Sequence, residues 1–320
     1  MNSTLHNSTK TSVSPANLLS ETVTGRAKAG EIRATVKNYL ELTKPRLSLL
    51  SIITALVGYV AARPSFDTGL FVAMAIGTSL AAGGAATLNQ WFEQRADALM
   101  SRTRNRPIPA GAVAPSAALL LGVGLGATGT VLLLFGVNPL AGILGALTIL
   151  TYVLVYTPLK KQSHWCTEVG AIAGAFPPLI GWAAAEGNIS GLGWILFAIL
   201  LFWQMPHFHA IAWIYRDDYA AAGFPMLAVT DHEGSRVGRH ATGYSVLLLL
   251  ASISPVVLGY NNFFYLAAAI LLGAYLLKQA IAFQRADRRK RENAARKLFL
   301  VSIAYLPALL GALVVDRWMF

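Results

Sequence analysis

The sequence GLFVAMAIGTSLAAGGAATLNQW, from Gly69 to Trp91, contains twenty-three consecutive residues without a charged side chain. A helix of about twenty apolar residues is long enough to cross the hydrocarbon core of a membrane. The rest of the chain fits this pattern, because its 320 residues are 55% hydrophobic and only 13% charged. A soluble domain normally carries about 25% charged residues. The composition therefore excludes a single soluble globule and predicts a membrane protein.

Eight further uncharged stretches bring the number of predicted membrane spans to nine. They are Leu47–Ala62, Ala117–Phe135, Pro139–Tyr156, Val169–Ala185, Leu192–Ile214, Ala241–Gly259, Phe263–Leu277 and Leu298–Val315. The sequence thus predicts an all-α, polytopic membrane protein. Residues 1–37 are polar and rich in Ser, Thr and Asn, and we expect them to form a disordered cytoplasmic tail. Residues 38–320 are expected to form one transmembrane domain.

The distribution of basic residues predicts the orientation of the chain. Only Arg63 and Arg317 of the 26 Lys and Arg residues lie on the side opposite the tail. Because loops rich in Lys and Arg stay in the cytoplasm, we expect a cytoplasmic N-terminus and a periplasmic C-terminus in a bacterial inner (plasma) membrane. If the tail is a mitochondrial transit peptide, the alternative is the mitochondrial inner membrane. The net charge of +11 then reflects topology and contact with anionic membrane lipid, and no nucleic acid is expected as a partner.

Three oxygen-bearing side chains follow one another at intervals of four residues at the end of the second span: Asn89, Glu93 and Asp97. On a helix this spacing places them on one face over about 12 Å. Mg²⁺ prefers one or two carboxylates together with phosphate oxygens, so the row predicts a site for a metal-bound diphosphate. The alternative is an amphipathic helix end at the membrane surface, whose acids pair with Arg95 or with the arginines that follow.

A basic loop with the sequence SRTRNRPIP, residues 101–109, begins a few residues after this row. Arg102 and Arg106 are candidates for diphosphate binding because guanidinium groups match phosphate oxygens in a two-pronged geometry. Tyr156 and Lys160 belong to the sequence YTPLKK at the end of the fourth span and are further candidates. A basic run beside a span is also the ordinary orientation signal, and this alternative applies to both segments.

A second acidic cluster, YRDDY at residues 215–219, opens the loop after the sixth span. Asp217 or Asp218 could supply a further ligand to the same metal site. His207 and His209 precede this cluster, and residues two apart point about 200° apart on a helix, so the two do not ligate one metal from one regular face. His207 is the candidate for porphyrin binding, and the alternative is a hydrogen-bonded histidine of the core.

The sequence GLGATG, residues 124–129, matches the glycine pattern of dinucleotide-binding loops. It lies inside an uncharged span, however, and no strand or βαβ unit precedes it. Small residues in a membrane helix allow a neighbouring helix to approach closely. We therefore predict that this motif, like Gly83 and Gly84, serves helix packing.

Together these motifs resemble the UbiA superfamily of intramembrane prenyltransferases, and in particular its heme-specific branch. The resemblance covers roughly residues 38–320. It also includes TKPR at 43–46, PHF at 206–208 and AGFPML at 222–227. In the general superfamily pattern the acids of the second cluster repeat at every fourth residue, whereas here Ala221 and Pro225 follow Asp217 at that spacing. This departure disfavours prenylation of a quinone precursor.

The resemblance implies nine helices around a central cavity, with farnesyl diphosphate and heme b as substrates and Mg²⁺ as the cofactor. The implied reaction transfers the farnesyl group to a vinyl group of protoheme IX (heme b), which gives heme O with its hydroxyethylfarnesyl side chain and diphosphate. A downstream heme A synthase is an expected partner. The alternatives are a prenyltransferase acting on an aromatic quinone precursor and a multi-span transporter.

The resemblance also assigns roles to individual residues of this chain. The expected metal ligands are Asn89, Glu93, Asp97 and Asp217, with Asp218 as a further catalytic residue. The expected diphosphate-binding residues are Arg102, Arg106, Tyr156 and Lys160, and the expected heme-binding residues are His207 and Tyr215.

Overall fold

A computed structural model describes residues 31–62 and 66–319, and in this part of the chain all regular secondary structure is helical. The elements are α1 (Glu31–Leu42), α2 (Pro45–Ala61), α3 (Thr68–Asp97), α4 (Pro115–Gly136), α5 (Pro139–Leu150), a π-helical turn (Thr151–Tyr156), α6 (Thr157–Leu159), α7 (Cys166–Glu186), α8 (Gly191–Ile214), α9 (Arg216–Ala221), α10 (Leu227–Thr230), α11 (Ser235–Val257), α12 (Phe263–Arg285) and α13 (Arg288–Met319). The predicted all-α class is confirmed.

Eight helices among the described residues are long and apolar enough to cross a membrane, counting Pro139–Leu159 as one. The helix α2 has only 17 residues, but α1 precedes it at a bend of 51°, and counting this pair gives nine. The prediction of a polytopic membrane protein is therefore confirmed. The helix α3 continues six residues beyond the uncharged stretch that ends at Trp91, and this extension carries the acidic row into the folded bundle.

The predicted end of the tail at residue 37 lies inside α1. Residues 31–37 therefore belong to a helix, which corrects the predicted boundary. Residues 1–30, which make up most of the predicted tail, lie outside the described residues, as does Arg63.

Lys44 forms the bend between α1 and α2. Its φ of 46° makes it the one non-glycine residue with a left-handed backbone among those described. Because Pro45 follows, its ring disfavours the right-handed helical conformation at Lys44. The left-handed conformation costs roughly 1–2 kcal/mol in an L-residue. The strained bend holds the Lys44 side chain against α3, where it contacts Asn89.

Glycines in the motif GLGATG allow α4 to lie directly against α3. A Cβ on Gly129 would lie 2.5 Å from the backbone nitrogen of Ala81, and a Cβ on Gly84 would overlap the backbone of Gly126. No side chain fits at such separations. The predicted role in helix packing is thus confirmed for Gly84, Gly126 and Gly129, whereas a Cβ on Gly124 would meet nothing within 4 Å.

The helices α7 and α8 lie at the centre of the bundle. Within their apolar stretches 67% and 56% of the residues are buried, whereas the fraction is 28% in α4, α11 and α12. The outer helices expose large apolar side chains such as Phe135 and Leu271. Exposed apolar surface of this extent is normal toward lipid and destabilising toward water. The central helices and α3 are therefore the ones that can enclose a site.

Candidate active site

A cavity of about 420 Å³ lies at the centre of the bundle between α2, α3, α7 and α8. Its volume falls in the range of about 300–1,000 Å³ that is usual for small-molecule sites. Charged and amide side chains line the end that adjoins the C-terminus of α3: Lys44, Asn89, Glu93, Asp97, Arg102, Arg106 and Lys160. Apolar side chains dominate the remainder, including Leu47, Leu50, Ala81, Ala85, Ile180 and Leu200. The cavity is thus polar at one end and apolar along its length.

The three predicted residues of the acidic row share one face of α3 and line the polar end of this cavity. Asn89, Glu93 and Asp97 are 1%, 3% and 0% exposed. An acidic side chain is almost never fully buried unless it has a partner. This burial does not fit the alternative of an amphipathic helix end at the membrane surface.

Each member of the row contacts a cationic side chain from another part of the chain. The pairs are Lys44 Nζ–Asn89 Oδ1 at 2.7 Å, Lys160 Nζ–Glu93 Oε1 at 2.8 Å and Arg106 Nη1–Asp97 Oδ2 at 2.7 Å. Arg106 also reaches the second oxygen of Asp97 at 2.8 Å, so it contacts both oxygens of this carboxylate. The alternative of an amphipathic helix end also predicted that the acids pair with the arginines that follow them. The Arg106–Asp97 pair agrees with this one feature of the alternative.

The polar end of the cavity carries a net positive charge. Four of the lining side chains are cations, and only Glu93 and Asp97 are carboxylates. Lys160 lies just after the fourth span, where burial alone would lower the pKa of its ammonium group. The adjacent carboxylate of Glu93, together with smaller contributions from Tyr156 and Tyr152, offsets burial and holds the pKa of Lys160 well above its ordinary value. Because buried charge without a counter-ion is unfavourable, this end of the cavity is suited to a polyanionic ligand.

Thr157, which directly follows the π-helical turn, orients Asn89. The Asn89 amide Nδ2 donates to Thr157 Oγ1 at 3.1 Å, and Thr157 Oγ1 donates to the carbonyl oxygen of Tyr152 at 2.7 Å. The amide oxygen of Asn89 is therefore the atom that faces Lys44. The same turn places the rings of Tyr152 and Tyr156 in the cavity wall, and Lys160 Nζ lies 4.6 Å from the centroid of the Tyr156 ring.

The two carboxylates of the second acidic cluster lie outside the cavity wall, although Tyr219 of the same cluster lines it. The Asp217 side chain is 94% exposed, and its contact with Arg216 is 4.0 Å long. It was predicted as a metal ligand, whereas in the structure the short α9 turns this carboxylate toward the surface. Tyr215, predicted to bind heme, is also outside the cavity, and its ring lies 5.1 Å from the guanidinium of Arg102.

Asp218 connects the loop after α3 to α9. Its Oδ1 accepts hydrogen bonds from the backbone nitrogen of Ser101 at 3.1 Å and from Ser101 Oγ at 2.7 Å. The Ser101 hydroxyl, followed by smaller contributions, holds the pKa of Asp218 below its usual range. Asp218 does not line the cavity, but it anchors the loop that carries Arg102 and Arg106.

His207 lines the cavity, and its ring is stacked on Trp203 with 5.0 Å between the centroids. Ser302 Oγ donates to the carbonyl oxygen of Phe299 at 2.6 Å, so its one hydrogen is used. It must then accept from His207 Nδ1, which lies 2.8 Å away. This network places the proton of the neutral imidazole on Nδ1 and leaves the lone pair on Nε2.

The structure therefore brings together eight of the predicted site residues, and it leaves three outside the cavity. Those in the cavity wall are Asn89, Glu93, Asp97, Arg102, Arg106, Tyr156, Lys160 and His207. Sequence reasoning missed Lys44 as a cation of the site, and it missed Tyr152 and Thr157. The signal for Lys44 was its position in TKPR, because a basic residue before a proline at the start of a span sits at a bend.

Comparisons with known proteins find a matching family model, relatives of similar sequence and structures of similar fold. The family model described as the UbiA prenyltransferase family matches residues 51–303. A protoheme IX farnesyltransferase of Opitutus terrae is 54% identical over 285 residues, which cover 89% of this chain and 96% of that relative.

Two solved structures are similar in fold. A digeranylgeranylglyceryl phosphate synthase matches with a TM-score of 0.75 at 19% identity, covering 89% of this chain and 99% of that one. A UbiA homolog from Archaeoglobus fulgidus bound to DMAPP and Mg²⁺ matches with a TM-score of 0.65 at 13% identity, covering 86% of this chain and 99% of that one.

Proposed function

The chain belongs to the UbiA prenyltransferase family, and we propose that it transfers the farnesyl group of farnesyl diphosphate to a vinyl group of heme b, giving heme O and diphosphate. One observation supports the assignment of this reaction to particular residues of this chain. A single cavity joins a buried row of oxygen donors and cations to a long apolar wall that includes His207. The relative from Opitutus terrae, named for transfer of farnesyl to protoheme IX, supports the acceptor.

Mg²⁺ fits the donor set of the α3 row. Asn89, Glu93 and Asp97 offer amide and carboxylate oxygens, all buried and all facing one cavity. Such oxygens, together with those of a diphosphate, are the ligands that Mg²⁺ prefers. The ion, when bound, supplies positive charge that neutralises the leaving diphosphate. The UbiA homolog from Archaeoglobus fulgidus, which has a similar fold, was solved with bound Mg²⁺, and this supports Mg²⁺ as the proposed ion.

We leave Asp217 and Asp218 out of the proposed ligand set. Neither side chain lines the cavity, and that of Asp217 is 94% exposed. We assign Asp218 a positioning role instead, because it fixes the loop that carries two arginines of the site.

Lys44, Arg102, Arg106 and Lys160 bind the diphosphate in this proposal. Three of them contact members of the α3 row in the structure, so they are already at the polar end of the cavity. The bond from the allylic carbon to the diphosphate oxygen breaks with both electrons leaving on oxygen. Donors aimed at that oxygen stabilise the developing charge, and each is typically worth about 3 kcal/mol in the transition state.

The apolar wall binds the farnesyl chain and keeps water from the allylic cation. Ala81 and Ala85 line it from α3, and Ile180 and Leu200 line it from α7 and α8. Small side chains leave room for an extended isoprenoid. Exclusion of water matters because water would capture the cation before the acceptor does.

His207 holds the heme acceptor. Its Nδ1 is fixed by Ser302, and the remaining Nε2 lone pair is the type of ligand that heme iron takes from a histidine. The terminal vinyl carbon then attacks the allylic carbon, and a new carbon–carbon bond forms. Water adds to the resulting cation beside the porphyrin and loses a proton, which yields the hydroxyl of the product side chain.

The chain is a multi-pass membrane protein. We further propose the orientation given by its basic residues, with a cytoplasmic N-terminus and a periplasmic C-terminus in a bacterial plasma membrane. Farnesyl diphosphate then reaches the polar end of the cavity from the cytoplasm. A heme A synthase is the expected consumer of the product.

The test is an acceptor competition with purified protein in detergent, supplied with Mg²⁺ and farnesyl diphosphate. Heme b and 4-hydroxybenzoate are offered separately, and the products are identified by mass spectrometry. We expect a heme that is heavier by a hydroxyfarnesyl group and no prenylated benzoate. Prenylation of 4-hydroxybenzoate alone would replace our proposal with the quinone-precursor reaction, and turnover without any membrane gradient would exclude a transporter.

A further inference from the structure

A second cluster of metal-ligating side chains lies outside the active-site cavity. Glu168 is in the first turn of α7, His209 is on α8, and His240 is near the start of α11. One ligand atom from each lies within 4.8 Å of the other two. None of the three lines the active-site cavity. Three different helices thus place two imidazoles and one carboxylate close together.

Each of these side chains has a buried polar atom without a hydrogen-bond partner among the described residues. The atoms are Glu168 Oε2, His209 Nε2 and His240 Nδ1. His209 is only 2% exposed, so the desolvation of its nitrogen is nearly complete. Leaving a buried polar atom unpaired costs about 1–3 kcal/mol. Three side chains that each leave a buried atom unpaired, and that bring one donor atom apiece within 4.8 Å of one another, indicate that a further ligand belongs between them.

We propose that Glu168, His209 and His240 bind one divalent transition-metal ion, with Zn²⁺ as the preferred species. Two neutral imidazoles and one carboxylate are a common zinc donor set that leaves a fourth position open. Mg²⁺ and Ca²⁺ prefer oxygen ligands throughout, so the imidazoles distinguish this site from the α3 row.

The distances require only a small adjustment of side chains. In the tetrahedral geometry usual for Zn²⁺, two donors with bonds of about 2.1 Å lie about 3.4 Å apart. His240 Nδ1 and Glu168 Oε1 lie 3.9 Å apart, so these two atoms need to approach each other by only about 0.5 Å. The side chains of His240 and Glu168 are 34% and 19% exposed, so an ion can reach the site past them.

Other charged groups near the site do not prevent binding. Arg236 and Arg239 act on His240 electrostatically, as do His164 and Asp231. Both arginines are exposed, so solvent and salt screen their repulsion of a cation. His164 also acts on Glu168 electrostatically.

The ion would link α7, α8 and α11 directly behind the active site. His209 lies two residues after His207 and on the opposite side of α8. A metal bond to His209 would therefore restrict rotation of the helix segment that presents His207 to the cavity. We assign the ion a structural role, since none of its ligands contacts the cavity.

The experiment measures zinc in the full-length protein, purified in detergent without a histidine tag. The protein is stripped with EDTA, equilibrated with Zn²⁺ in the presence of excess Mg²⁺, separated from free metal and analysed by mass spectrometry for metals. The variants are Glu168→Gln and His240→Gln, both at partly exposed positions. The matched control is His232→Gln, an exposed histidine in the turn before α11.

We expect close to one Zn²⁺ per wild-type chain, the same in His232→Gln, and loss of most of it in both site variants. Wild-type protein loaded with Co²⁺ should also show visible absorption typical of mixed nitrogen and oxygen ligation, a readout that needs no variant. Absence of bound zinc from the wild type, or equal zinc in the wild type and the site variants, would overturn the proposal.

Discussion

The two acidic clusters give similar signals in the sequence but have different environments in the structure. Both follow a membrane span, and each contains two carboxylates within a few residues. Glu93 and Asp97 lie on the extension of a 30-residue helix and are buried. Asp217 and Asp218 lie on the six-residue α9, where neither is buried. A long helix carries its polar end into the bundle, whereas a separate short helix stays at the surface.

The difference predicts different roles for the two clusters. A buried carboxylate is held in place by a cation, so its removal leaves a buried charge without a partner. An exposed carboxylate is solvated whether or not a partner is present. We therefore expect substitutions in the α3 row to reduce catalysis directly. Substitutions in the second acidic cluster should change activity only through the position of the loop that follows α3. The following variants test this contrast.

Asp97→Ala should have the largest effect. It removes a proposed metal ligand and leaves Arg106 without its carboxylate partner. Loss of one group that acts in the transition state typically reduces kcat by about 100-fold to 1,000-fold. The measurement is release of diphosphate from farnesyl diphosphate by purified enzyme that retains its helical circular dichroism. Full activity in this variant would remove the α3 row from the mechanism.

Lys160→Met should reduce activity by about 100-fold, because it removes one donor to the diphosphate. Methionine preserves much of the length of the side chain but does not carry a charge. The neighbouring Lys161 is exposed, so Lys161→Met is the matched control and should retain wild-type kinetics. Equal losses in both variants would indicate a general effect of charge at this loop rather than a contact with substrate.

Asp218→Ala should have an intermediate effect, with less than about a tenfold loss of kcat/KM. The variant releases Ser101 and with it the loop that carries Arg102. If this connection is the cause, Ser101→Ala and Asp218→Ala will not be additive in a double-mutant cycle. Independent, additive losses would contradict the positioning role and would point to direct contact of Asp218 with the substrate or metal.

The fold was largely predictable from the sequence, but parts of the site were not. Hydropathy defines spans because each helix must bury its own backbone in lipid, and spacing along one helix defines a face. This reasoning located Asn89, Glu93 and Asp97 together. The same reasoning could not place Lys44 in the site, because the direction of its side chain depends on a left-handed bend. Nor could it show that the carboxylates of α9 face the surface, because this depends on how the loop packs.

Asp217→Ala should have the smallest effect, within about twofold of wild type in kcat and KM. Its side chain is 94% exposed and makes only a 4.0 Å contact with Arg216. Surface substitutions without a specific partner usually change stability by no more than about 0.5 kcal/mol. Asp97→Ala and Asp217→Ala replace the same side chain with the same residue. A difference in activity between the two variants therefore reflects the buried and the exposed environment of the two carboxylates. If Asp217→Ala loses activity as Asp97→Ala does, α9 must turn Asp217 toward the diphosphate when substrate binds, and the contrast between the clusters would hold only for the substrate-free protein.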